Sequence, residues 1–263
     1  MKVVTLASGS KGNSTYLETD SVKILIDLGL SLKQIEQKLE VLQVNPSSID
    51  AILLTHEHSD HIKGVAFFAK KYGAKIYAHN LLWEVLQNKL KDKAVTNKIV
   101  LFSDDFIIGD LAISSFELPH DAVYCVGYSF INDGKKISIA TDLGHTNSRI
   151  MEKLKNSTLV ILEANHDEHL LRNNPKYPIY LKNRILSSKG HLSNITAAET
   201  ILELASYNVK QIVLAHLSEE NNAPEVAYNT IKKFLLEKGV EEGKHIFVDV
   251  ATQNKIGNIF NLK

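Results

Sequence analysis

Four side chains of metal-binding type fall within six positions, His56-Glu57-His58-Ser59-Asp60-His61, directly after the apolar run Ile52-Leu53-Leu54-Thr55. A buried strand that empties into such a loop, with an amphipathic helix behind it, must end at an edge of the core. There the histidines can turn toward one point and the Asp60-His61 pair toward a second, a few ångströms away. Neutral imidazole and carboxylate suit zinc, manganese or iron, and paired ions of this kind are a common hydrolytic device. A polar loop with incidental histidines is the plain alternative, and the density of the pattern argues against it.

The rest of the chain repeats the arrangement. Asp27 closes Ile24-Leu25-Ile26, His120 follows Ile113 to Pro119, Asp142 follows Ile137 to Thr141, and His216 follows Ile212 to Ala215. Each stands just past an apolar strand, so all can converge at one edge of a sheet core, where sites in α/β sheets form. Singly, each would read as a polar strand end.

Periodicity predicts strands at 2–7, 15–19, 22–27, 51–55 and 74–78, with helices at 31–42, 61–72 and 80–91. Short strands follow near 98–101, 106–108 and 111–118. The second half repeats the style. Strands at 126–131 and 136–141 lead to helix 147–155, strand 158–163 and a mostly helical stretch to about 207. Strand 210–215, helix 224–238 (stopped by Gly239) and strands 245–250 and 256–260 close the chain. Two halves, each starting with hairpin-like strands and continuing in strand–helix alternation, predict an α/β fold of four layers, αββα. No linker or repeat divides residues 1–263, which are read as a single domain.

Charge is balanced, with 30 Lys plus Arg against 30 Asp plus Glu, so any electrostatic argument must be local. The one cysteine, Cys125, excludes an internal disulfide and reads as a small buried side chain. With no signal-like start and no stretch near ~20 apolar residues, the expectation is a cytoplasmic protein without membrane contact.

At this point the chain resembles the metallo-β-lactamase superfamily over essentially its whole length. Thr55-His56-Glu57-His58-Ser59-Asp60-His61 is similar to that superfamily's second motif without departure. The resemblance implies a first metal on His56, His58 and His120, a second on Asp60, His61 and His216, and Asp142 bridging. It makes Asp27 an orienting residue behind the ligands, and Asp60 both a ligand and the acceptor of the attacking water's proton. Ser8 to Ser14, Thr141-Asp142-Leu143-Gly144, Asn165-His166-Asp167, Gly190 to Asn194 and His216-Leu217-Ser218 resemble the bacterial YycJ/WalJ/VicX branch. That branch implies a 5′-to-3′ exonuclease on double-stranded DNA, linked genetically to a two-component regulatory system. Pro119 stands before His120 where the family more often has serine.

Glu163, ending the strand Thr158 to Leu162, and His191, in Gly190-His191-Leu192-Ser193, resemble the ribonuclease Z pairing of a glutamate with a proton-donating histidine. An alkoxide leaving group needs such an acid; His166 and His169 are the other candidates, and a helix cap is the plain reading of His191. The Ser8–Ser14 loop, with Ser10 and Asn13, could present backbone N–H groups to phosphate, or be an ordinary turn. Between Glu168 and Glu199 stand Arg172, Lys176, Lys182, Arg184 and Lys189 without an acid. Lys182 and Arg184 are expected to track a nucleic-acid backbone, with Tyr177 and Tyr180 free to stack; a solvated helical face is the alternative.

Three functions fit: a DNA nuclease, a hydrolase of small thioesters, lactones or phosphodiesters, and a catalytically silent regulatory protein. The unbroken ligand set speaks against the last. Lack of a Gly/Pro-rich arm makes a ribonuclease Z-like endoribonuclease the lesser nuclease option.

Overall fold

Apolar side chains on both faces of nearly every strand require cover on both sides, and the computed structural model, describing residues 1–262, supplies it. The first sheet holds β1 (Lys2–Ala7), β2 (Ser14–Glu18), β3 (Lys23–Ile26), β4 (Ala51–Leu53), β5 (Lys75–His79) and β6 (Ile99–Phe102). The second holds β7 (Phe106–Ile108), β8 (Leu111–Glu117), β9 (Val126–Asn132), β10 (Lys135–Ala140), β11 (Leu159–Glu163), β12 (Gln211–Ala215) and β13 (Phe247–Val250). β14 (Phe260–Asn261) returns to pair with β1, so the two seven-stranded sheets share one pattern, ordered β14-β1-β2-β3-β4-β5-β6 and β13-β12-β11-β10-β9-β8-β7. The predicted hairpins are present as β2–β3 and β9–β10, antiparallel. Parallel pairing then runs from β3 to β6 and from β10 to β13.

The sheets face each other across Leu17, Ile24, Leu53, Ile113, Phe130, Ile137, Ile161 and Val213. Strand alternation sends the neighbouring residues outward. Ile52 and Ile76 meet α1 (Leu32–Val41), α3 (Val65–Tyr72) and α4 (Trp83–Leu90) through Ile35, Leu39, Phe68 and Leu86. Val160, Leu162 and Leu214 meet α6 (Ser148–Leu154), α9 (Asn194–Ser206) and α10 (Pro224–Glu237) through Ile150, Ile201 and Ile231. This is the four-layer αββα arrangement. Among the described residues no helix is long and apolar enough to cross a membrane.

Three boundaries differ from expectation. The helix predicted over 61–72 is two helices, α2 (Ser59–Ile62) and α3, because Gly64 passes so close to Leu28 and Leu30 that a Cβ there would sit 2.3 Å from Leu30 O. A four-residue helix, α5 (Lys93–Thr96), capped by Asp92, precedes β6. The strand expected at 256–260 survives only as Phe260–Asn261. The mostly helical stretch before residue 207 resolves into α7 (Glu168–Asn173), α8 (Ile179–Ile185) and α9.

Candidate metal centre

The carboxyl ends of the parallel strands of both sheets open toward one edge, and the expected residues meet there. Asp27, Asp142 and His216, just beyond β3, β10 and β12, have left-handed backbones with φ of 58°, 63° and 56°. Outside glycine that conformation costs on the order of 1 kcal/mol or more and clusters at functional sites; here it turns each side chain off its strand into the shared edge. The hexad follows β4, with His58 at the residue before α2 and Asp60 and His61 in its only turn.

Four of the five cluster histidines are held by one ring nitrogen, which leaves the other facing inward. His61 Nδ1 lies 2.7 Å from Asp27 Oδ2, His56 Nδ1 3.0 Å from Thr55 Oγ1, His120 Nδ1 3.2 Å from Gly190 O and His216 Nδ1 2.9 Å from Glu163 Oε1. Asp27 also accepts the backbone N–H and hydroxyl of Thr55. The side chains form four overlapping groups, His56/His58/His120, Asp60/His61/His216, His56/His61/Asp142 and Asp142/Glu163/His191/His216, each with its ligand-type atoms within 4.8 Å of one another. Asp142 sits between the halves, 3.2 Å from His61 Nε2, 3.4 Å from His216 Nε2 and 3.7 Å from His120 Nε2.

These residues fit divalent ions. His56 Nε2, His216 Nε2 and Asp142 Oδ2 are buried without a hydrogen-bond partner, a loss of about 1–3 kcal/mol for each such atom unless something else satisfies it. Charge tells the same story. Burial, reinforced by His61, holds His56 well below the usual histidine range. Burial alone would lower His216 too, yet Asp142, Asp60 and Glu163 push it up to about 10. Burial opposes ionisation of Asp60, but the neighbouring His216 and His61 rings keep it well below the usual carboxylate range. A cation at this point therefore replaces a proton that the carboxylates otherwise attract.

His191 stands beside the cluster. Its Nδ1 is 2.8 Å from Glu163 Oε1, and Gly190, where a Cβ would lie 2.1 Å from Ile185 O, brings the loop in close. Glu163 is fully buried and also accepts the backbone N–H groups of Leu143 and Leu192 at 3.0 and 3.1 Å. Burial would raise its pKa, but His191 and His216 outweigh that and bring it down to about 2. One carboxylate thus orients both a cluster histidine and His191, a double role the sequence did not reveal. His166 is buried and His169 exposed, and neither lines the cavity of about 240 Å³ in front of the cluster.

That cavity is lined by His58, Asp60, His120, Asp142, His191 and His216, and also by Tyr177, Leu181, Arg184 and Ile185. Ser10 lines its rim. Ser8 and Asn13, expected at the substrate, are buried behind the cluster instead. The Ser8 hydroxyl accepts the His216 N–H at 2.7 Å, while Asn13 accepts Gly9 N–H and places its amide 3.1 Å from His61 Nε2. Lys182 also departs from expectation, since its ammonium donates to Arg172 O away from the cavity. The positive segment finds counter-charges: Arg172 pairs with Glu168, Lys176 with Glu220 and Arg184 with Asp121. Asp121, which sequence reasoning passed over, lines the cavity with Oδ1 3.3 Å from His120 Nε2; its place immediately after His120 was the available signal. Glu57, between the paired histidines, accepts Val123 N–H at 2.9 Å and so anchors the loop that carries Asp121.

A family model described as a β-lactamase superfamily domain matches residues 22–217, and the chain belongs to that superfamily. Over 233 residues it is 42% identical to the exodeoxyribonuclease WalJ of Streptococcus pneumoniae, covering 88% of this chain and 86% of the relative. It is 37% identical to the exodeoxyribonuclease YycJ of Bacillus anthracis over 240 residues, 91% of this chain and 90% of the relative. These matches place it in the WalJ/YycJ branch. Among solved structures, the metallo-β-lactamase fold protein YhfI of Bacillus subtilis superposes with a TM-score of 0.73 at 19% identity, covering 98% of each chain.

Proposed function

We propose that this chain is a metal-dependent exonuclease that hydrolyses phosphodiester bonds of double-stranded DNA from the 5′ end. The observation that carries the reading is the shared cavity: His58, Asp60, His120, Asp142 and His216 of the ligand groups, His191 held by Glu163, and an arginine line one space, in a chain 42% identical to an exodeoxyribonuclease. His56, His58 and His120 would hold one divalent ion and Asp60, His61 and His216 a second, with Asp142 between them; zinc, manganese and iron all suit this donor set. Ions held there supply Lewis acidity toward a phosphate oxygen and toward water.

The chain's own residues do the rest. Asp60, ionised and with Oδ2 turned to His61 and His216, accepts the proton of the attacking water. Glu163 holds His191 Nδ1–H, so Nε2 can carry a second proton to the leaving oxygen. Asp27 and Thr55 fix the rings of His61 and His56.

The test is degradation of duplex DNA, labelled at the 5′ or the 3′ end, by protein loaded in turn with zinc, manganese or iron. Early release of 5′-labelled mononucleotide is expected. No degradation with any of these ions at low salt would remove the reading. The modest cavity favours a second one, a small-phosphodiester hydrolase, which predicts turnover of an aryl phosphodiester without binding of duplex DNA.

A further inference from the structure

The α8 wall of the cavity is built differently from the rest of the molecule. No residue of α8 is buried, yet Leu181, Arg184 and Ile185 all face the cavity, the i, i+3, i+4 spacing of a single helical face. Lys182, one position along from Leu181, falls on another face. Arg184 donates through Nε to Asp121 Oδ2, and among the described residues neither of its terminal NH₂ groups has a hydrogen-bond partner. An ion pair this exposed adds little stability. What it does is hold a planar fork of N–H donors toward the cavity, the geometry that matches phosphate oxygens.

Only the Asp121 carboxylate separates that guanidinium from His120 Nε2. An anion on the fork therefore lies beside the ligand cluster. Arg184 lines the same cavity of about 240 Å³ as His120, Asp142 and His191. On the exonuclease reading, what enters is an end of a strand.

We propose that Arg184, steered by Asp121, is the site that receives the terminal phosphate of a nucleic-acid strand, so that phosphorylated ends are preferred over hydroxyl ends. The nature of the ligand rests on the nuclease reading, and the experiment separates the two. Manganese-loaded protein is titrated calorimetrically with inorganic phosphate, 5′-deoxyadenylate and deoxyadenosine. Arg184→Gln should weaken phosphate and nucleotide roughly ten- to hundredfold, as expected for charge-assisted hydrogen bonds, with manganese content unchanged. Arg184→Lys, which keeps charge without the fork, should recover only part of that loss. On duplex DNA the ratio of kcat/KM for 5′-phosphate over 5′-hydroxyl ends should collapse toward one in Arg184→Gln and hold in Lys182→Gln. Equal phosphate affinity in wild type and Arg184→Gln overturns the proposal even if DNA is degraded. Arg184-dependent phosphate binding in a protein that leaves DNA intact sustains the anion site and removes the nuclease reading. A preference for 3′-phosphate ends sustains the site and reverses the polarity.

Discussion

The two walls of the cavity differ in kind. The wall of proposed ligands is mostly buried, four of its rings are fixed by a hydrogen-bonding partner, and Asp27, Asp142 and His216 stand on left-handed strand ends. The α8 wall is half exposed, contributes nothing to the core and takes its counter-charges from elsewhere. Chemistry that needs fixed distances sits on the wall that cannot move, and recognition on the wall that costs the fold least to vary.

If that division is right, damage to the two walls differs by orders of magnitude. The largest effect belongs to His58→Ala, which removes a proposed ligand while leaving the remaining strand-end scaffold in place. Metal analysis should show loss of bound ion, and turnover should vanish with it. Full ion content and normal turnover in that variant would dissolve the distinction.

His191→Ala comes next. The ligand groups stay whole, so ion content holds, while the rate on DNA falls roughly 10²–10⁴-fold. The loss should shrink for an aryl phosphodiester, whose leaving group needs no proton; equal losses on both substrates would mean that His191 only supports the loop.

A smaller effect, on stability, comes from behind the ligand wall. His166 is 1% exposed with neither ring nitrogen hydrogen-bonded. Burial lowers its pKa to about 4, against an ordinary 6.5. A depressed pKa contributes stability that is present above 6.5 and lost as pH falls through 4. Denaturant melts across that window should show a loss on the order of 2–3 kcal/mol, and His166→Leu should flatten it.

Lys182→Gln marks the lower limit. Its ammonium meets only the exposed carbonyl of Arg172, so unfolding should shift by less than about 0.5 kcal/mol, and a larger shift would show α8 to be more than a wall.

The same contrast explains what the sequence could reveal. The hexad is local, so its spacing was visible; Asp27, Asp142 and His216 were visible because buried strands announce their own ends. The layered fold followed from the repeated strand–helix alternation. Hidden were contacts made by residues far apart in the chain. The hydroxyl of Ser8 meets His216 and Asp121 meets Arg184, pairings that no local pattern encodes. Lys182 and Arg184 looked equivalent in a run of cations, and only the rotation of α8 divides them.

The site also has a mechanical side. His56, His58, Asp60 and His61 leave the first sheet, whereas His120, Asp142 and His216 leave the second. On the proposed ligand set, the ions act as a clasp across the seam between the sheets, and their binding energy becomes cohesion between two halves of the chain. The halves are joined by the exposed turn Ser103–Asp105. A chain severed at that turn should consequently reassemble as a divalent-ion-dependent heterodimer, with the chelator as its release.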